Sequence, residues 1–341
     1  MKYRTLGRTG LKVSEVGFGG GGIGGVWGET TENEGIRAVH RAIELGVNFF
    51  DVAPGYGSGR AEEVLGKALH DRRSDVLITT KASIRPQWLA NISGFVDDSL
   101  SASLKRLQTD HVDLLLIHNA ISARTGHPFE SCITADQAIE MANAFVRHKE
   151  AGRVRFIGFT GWRCNRTELL KMLDSDLFDA FQTEYNILNQ TAAVSVPEVG
   201  AVDMAELESE SNLNMRVYSY IPVDQHLTIQ EAQKRNLGVI GIRPILAGVL
   251  SNEIDRTVED WTQIGVMQER ARSLSFLAQP GRSLATAAFR FCLMNEGLST
   301  IVPGVKKSSE IEEAVAAADS LPLSADELNQ IDRLYRRNFK A

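Results

Sequence analysis

Eight short apolar runs, each followed by a segment with helical periodicity, constrain this chain more than anything else in it. The runs fall at 16–19, 47–51, 76–81, 112–118, 154–159, 178–183, 238–242 and 300–302. Helical patterns follow at 31–45, 60–70, 92–107, 135–151, 167–173, 226–236, 283–295 and 308–319. Several runs are continuously apolar, the mark of strands covered on both faces. Eight such units with no shift in composition predict one α/β domain over 1–341, a (β/α)8 TIM barrel. Residues 2–14 read as a β-hairpin turning at Gly7-Arg8-Thr9-Gly10, expected to cap the barrel bottom. An amphipathic segment at 324–337 predicts an extra C-terminal helix. One departure from regularity matters, at 189–225, between the sixth strand and its helix. That insertion is too long for a plain connection. It is either a lid or substrate wall, with Tyr218 and Tyr220 near its end, or a packing insertion.

A second fold has to be set aside. Gly17-Phe18-Gly19-Gly20-Gly21-Gly22 satisfies the G-x-G-x-x-G pattern of a dinucleotide-binding Rossmann unit. Seven of the nine residues 17–25 are glycine, so almost any glycine pattern matches. The acid required about 20 residues further on is missing, since Val39, His40, Arg41 and Ala42 occupy that zone. The glycines read instead as a close-approach loop at the mouth of the first strand.

In a (β/α)8 barrel the chemistry lies at the C-terminal strand ends. Those ends carry Asp51, with Tyr56 in the Pro54-Gly55-Tyr56-Gly57 loop, then Lys81, then His118. Each has a bland reading alone: a turn-forming Asp, a snorkelling Lys, a strand-end His. Four titratable groups on three consecutive strand ends converge on one pocket. A phenol is too weak an acid for neutral pH, and an adjacent ammonium lowers its pKa. Lys81 is expected to do this for Tyr56, with Asp51 anchoring Lys81 and His118 orienting a carbonyl oxygen. That constellation suits protonation of a developing alkoxide, the acid half of a carbonyl reduction. A nicotinamide is the usual hydride source.

Other chemistries find little support. The net charge of −6 argues against a nucleic-acid surface or an anionic membrane. Three scattered cysteines, Cys132, Cys164 and Cys292, suggest neither a disulfide framework nor a metal cluster. No apolar stretch is long enough to span a bilayer, and no leader is apparent. A cytoplasmic protein without a metal is expected.

The residues resemble the aldo-keto reductases over essentially the whole chain. The stretch from Phe50-Asp51-Val52-Ala53-Pro54-Gly55-Tyr56-Gly57 to Leu65-Gly66-Lys67-Ala68-Leu69 is similar to the family's second-strand signature. Thr80-Lys81 and Asp113-Leu114-Leu115-Leu116-Ile117-His118 resemble its third- and fourth-strand motifs. The resemblance implies an NAD(P)-dependent oxidoreductase with Asp51, Tyr56, Lys81 and His118 as a catalytic tetrad. It also implies a cofactor track through Gly20, Thr160, Gln182, Ile242, Arg243, Pro244, Gly304, Lys306, Glu310 and Glu313. Thr160 and Gln182 match carboxamide-binding positions, and Gly304 and Lys306 a phosphate loop. Two departures stand out. Gly161 replaces an Asn, and Ile242-Arg243-Pro244 replaces an aromatic-Ser-Pro motif whose ring stacks on the nicotinamide. Lys306 and Lys307 favour NADP and Glu310 favours NAD, with family frequency tilting the balance to NADP. The resemblance further implies an aldehyde, ketone or sugar hemiacetal as substrate. The alternative is a cofactor-binding regulatory or scaffold protein, as the potassium-channel β-subunits of this family are.

Overall fold

The computed structural model describes residues 1–195, 201–209, 222–251, 254 and 264–339. An antiparallel hairpin, β1 (Tyr3–Thr5) and β2 (Lys12–Ser14), precedes eight parallel strands. These are β3 (Phe18–Gly19), β4 (Phe49–Asp51), β5 (Leu77–Ala82), β6 (Val112–Ile117), β7 (Val154–Thr160), β8 (Ala180–Glu184), β9 (Gly238–Ile242) and β10 (Thr300–Val302). Their order in the sheet is their order in sequence. The first and last strands close the ring through parallel bridges at Val16–Ile301 and Gly19–Gly304. Backbone bonds from Gly17 N to Ile301 O (2.8 Å) and from Val305 N to Gly19 O (2.9 Å) complete the closure.

Helices α1 (Glu32–Glu44), α2 (Arg60–Ala68), α3 (Ile92–Leu107), α4 (Ala135–Glu150) and α5 (Arg166–Asp174) follow β3 to β7 in turn. After β8 come a short α6 (Met204–Ser209) and then α7 (Thr228–Lys234); after β9 come α8 (Ile264–Arg272) and then α9 (Leu284–Leu293). Helix α10 (Ser308–Asp319) follows β10, and α11 (Ala325–Arg336) is the extra C-terminal helix. The starts are set locally: Thr31, Thr134 and Ser324 each form a capping box with the Glu or Gln three residues on. Helices α6 and α8 were not legible in the sequence, and both lie in the long connections.

Strand alternation sorts the side chains into two layers. Outward residues such as Phe50, Ile78, Leu115, Ile157, Phe181 and Val239 pack in the large cluster that includes the helices. Inward residues Phe49, Leu114, Leu116, Ala180, Ile240 and Val302 fill the barrel together with Leu6 and Val13 of the hairpin. The hairpin therefore plugs the N-terminal end. Gly7 is needed there: its φ is +47°, and a Cβ would lie 2.1 Å from the Gly238 nitrogen.

The described part of the 189–225 insertion packs. A Val202–Val223 bridge pairs its middle with its end. Met204 and Leu207 of α6 bury against Phe129 and Cys132 of the loop after β6. Glu208 accepts from Ala123 N (3.0 Å) and Asn165 Nδ2 (3.2 Å). Tyr218 and Tyr220 lie outside the described residues.

Candidate active site

One inward step beyond the apolar filling, the same register turns polar. Asp51 is two residues past Phe49, His118 two past Leu116, Gln182 two past Ala180, and Thr160 stands opposite Gln182. The period of two that builds the core thus also delivers these groups to the mouth.

Lys81 is the centre. Its Nζ donates to Asp51 Oδ2 at 2.8 Å, to the Val52 carbonyl at 2.9 Å and to the Tyr56 hydroxyl at 3.3 Å. Asp51 is 3% exposed and Lys81 1%. The ammonium also lies 4.8 Å from the Tyr56 ring centre. Tyr56 meets His118 edge-on, with ring centres 5.8 Å apart. The structure brings together all four residues singled out in the sequence.

Their electrostatics correct one expectation. Burial raises the Tyr56 pKa above that of an ordinary phenol; Lys81 opposes this, and Asp51 adds to it. The ammonium pulls the phenol down, but burial outweighs it, and the carboxylate 2.8 Å from the ammonium adds to the rise. Tyr56 therefore rests as a protonated donor. Burial works against the Lys81 charge, but Asp51 and Tyr56 outweigh it and raise the lysine pKa. Burial raises Asp51, with Lys81 and Gln182 pulling the other way. His118 is pushed down to about 3 by burial and then by Lys81, so it is neutral near pH 7.

The remaining predicted residues surround this cluster. Gln182 Nε2 donates to Asp51 Oδ1 at 2.8 Å, and Thr160 Oγ1 donates to Gln182 Oε1 at 3.4 Å. Gln182 is thereby tied to the tetrad as well as facing the mouth. The Gly20 amide donates to the Asp51 carbonyl at 2.7 Å. At the end of β9, Ile242 and Pro244 flank Arg243, whose φ is +57°. Arg243 Nε stands 3.4 Å from Glu184, and its guanidinium 5.1 Å from the Trp162 ring centre. Past β10, Gly304 lies under the Trp27 indole. Glu310 takes the Lys306 amide at 2.6 Å and the Lys307 amide at 3.3 Å, and Lys306 Nζ is 3.9 Å from its other oxygen. Glu313 accepts from Ser283 and, at 3.4 Å, from Thr286.

The model of the aldo/keto reductase family matches residues 15–199 and 190–336. The chain belongs to the aldo/keto reductase family. L-galactose dehydrogenase from Arabidopsis thaliana is 28% identical over 343 residues, covering 98% of this chain and 94% of that protein. An aldo-keto reductase from Bacillus halodurans, solved in its holo form, superposes with a TM-score of 0.70 at 23% identity and full coverage of both chains. One from Klebsiella pneumoniae, solved in complex with NADPH, gives 0.66 at 19% identity, covering 98% of this chain and 96% of the other. This aldo/keto reductase is an oxidoreductase. None of its described helices is long and apolar enough to cross a membrane.

Three contributors escaped the sequence reading. The Val52 carbonyl fixes Lys81, and backbone acceptors leave no signature in residue type. Asn119, 1% exposed, donates to the Ile84 and Ser131 carbonyls and accepts from Ile84 N, joining the loops after β5 and β6. A polar residue directly after His118 was the available signal. Trp162 reaches across β8 to Arg243, with Arg163 at 4.1 Å, a contact that the pairing of β7, β8 and β9 creates.

Proposed function

We propose that this aldo/keto reductase interconverts a small polyhydroxylated carbonyl compound, or a sugar hemiacetal, with the corresponding alcohol or lactone, using NADP or NAD. The observation that carries this is the contact of one buried ammonium with Asp51, the Val52 carbonyl and the Tyr56 hydroxyl. The resemblance to a sugar dehydrogenase from Arabidopsis thaliana supports the polyhydroxylated substrate.

The residues fit a dinucleotide. Gly304 presents bare backbone beside an indole, and Lys306 and Lys307 bring cationic side chains to the start of α10, where Glu310 already takes their amides. Lys306 and Lys307 suit a 2′-phosphate, while Glu310, seated on their amides, opposes one. When bound, the nicotinamide supplies or accepts the hydride.

In reduction, the carbonyl oxygen becomes an alkoxide, a far stronger base than phenolate. A phenol needs no lowered pKa to protonate it. Tyr56 gives its proton to that oxygen, and Lys81 stabilises the phenolate left behind. Asp51, held by Gln182, keeps Lys81 charged and aimed. His118, being neutral, donates a hydrogen bond to the same oxygen without competing as an acid. In oxidation, Tyr56 phenolate accepts the hydroxyl proton. A regulatory role without turnover is disfavoured by the intact tetrad.

The test is fluorescence titration with NADPH and NADH, followed by absorbance assays over aldehydes, ketones and aldoses. Binding of at least one dinucleotide and turnover of a hydroxylated substrate are expected. Tyr56→Phe should bind the dinucleotide as wild type and lose at least a hundredfold in kcat. Failure to bind either dinucleotide, or full turnover by Tyr56→Phe, refutes the reading.

A further inference from the structure

The glycine-rich segment after β3 is wedged between two loops that the proposed reaction needs. On one side is the loop carrying Tyr56. A Cβ on Gly24 would stand 2.8 Å from the Tyr56 carbonyl oxygen, and one on Gly57 would stand 2.1 Å from the Gly24 oxygen. On the other side is the loop 303–307. A Cβ on Gly22 would stand 2.1 Å from the Val305 oxygen, and one on Gly304 would stand 2.6 Å from Trp27 Nε1. Backbone therefore lies on backbone at Gly24–Tyr56, Gly57–Gly24 and Gly22–Val305, while the segment's own Trp27 indole fills the space over Gly304.

The segment is itself stiff. Gly24 N bonds to Gly20 O at 3.1 Å, Gly25 N to Gly22 O at 2.8 Å and Val26 N to Gly21 O at 3.0 Å. Ile23, fully buried, pins it into the core against Gly35. A second tie runs alongside: Arg60, four residues past Tyr56, donates to the Thr30 carbonyl, and Thr30 Oγ1 donates to the Lys306 carbonyl at 3.3 Å.

We propose that 20–30 is a rigid strut that couples the dinucleotide-phosphate loop to Tyr56, with Gly22 and Gly24 as positioning residues. This rests on the proposed function, which assigns Tyr56 the proton and Gly304 and Lys306 the phosphates. Packed interfaces without slack transmit a shift rather than damp it. A contact without slack carries a displacement either way: a disturbance at the Tyr56 end weakens dinucleotide binding, and one at the phosphate end disturbs Tyr56.

The experiment crosses the two ends. Gly24→Ala intrudes on Tyr56, and none of its close contacts involves loop 303–307. Gly22→Ala intrudes on Val305 and does not meet Tyr56. Dinucleotide Kd, kcat at saturating dinucleotide and the alkaline limb of the pH–rate profile are measured for each, with melting curves as the folding control. Gly24→Ala is expected to raise the Kd at least fivefold. Gly22→Ala is expected to lower kcat and displace the alkaline limb although dinucleotide is saturating. If each variant affects only its own end, with the other readout within twofold of wild type, the strut is refuted. Should either alanine variant fail to fold, Thr30→Val removes only the hydroxyl tie. It is expected to raise the Kd and move the limb, and no change in either overturns the proposal. Wild-type protein that binds neither dinucleotide overturns the proposed function itself; wild-type binding with uncoupled variants overturns the strut alone.

Discussion

Replacing Lys81 with methionine strands a charge, and the consequences can be worked from the structure. The pair is 2.8 Å apart, an attraction of about 6 kcal/mol at an effective dielectric of about 20. Desolvating both ions offsets most of that in the wild type. Removing one partner leaves Asp51 buried with only Gln182 in support, which typically costs about 3–5 kcal/mol. Protonation offers Asp51 a way out. Its folded pKa in the variant rises well above the unfolded value near 3.9. For a carboxyl raised on folding, the stabilising effect of the neutral form is complete below the unfolded pKa and is lost as pH rises through the folded one. Asp51 is already raised in the wild type, so the penalty of Lys81→Met grows with pH once the wild-type carboxyl ionises, by about 1.4 kcal/mol per unit, until it reaches that ceiling. Urea unfolding at pH 5 and pH 8 should show a deficit about 2–3 kcal/mol larger at pH 8. Adding Asp51→Asn should restore most of the loss at pH 8 and flatten the pH dependence. A deficit independent of pH, or no rescue by Asp51→Asn, would refute the stranded-charge argument.

Three further outcomes follow from the same geometry. Because His118 stays neutral down to about 3 and Tyr56 is raised by burial, kcat/KM for reduction should be flat through pH 6.5 and fall only above about 10; a step near 6.5 that disappears in His118→Gln would contradict this. Glu310→Gln removes the negative charge from the Lys306 and Lys307 amides, so NADPH should bind about fivefold more tightly while NADH changes little, as fluorescence titration would show. Leu6→Ala opens the fully buried plug at the barrel bottom and should cost about 2–5 kcal/mol in denaturant unfolding, with the dinucleotide Kd unchanged.

The sequence by itself determined the architecture and the four reacting groups. Strand alternation and helix periodicity are local, so eight units, the hairpin and the last helix could be counted directly. Asp51, Lys81 and His118 were legible because each ends an apolar run, and Tyr56 because it stands in a glycine-rich loop just past one. Tertiary structure decided what those groups do to one another. The Tyr56 pKa depends on burial and on a carboxylate brought in from a different strand, so the expected lowering became a rise. Gln182 was readable as a polar strand residue, but its bond to Asp51 spans 131 positions and exists only once the barrel closes. Helices α6 and α8 were missed because short helices in long connections are held by packing rather than by propensity. The glycines at 17–25 show the division most plainly. In the sequence they were too many to carry a motif. In the fold, Gly19, Gly22 and Gly24 are where neighbouring backbones approach too closely for any side chain.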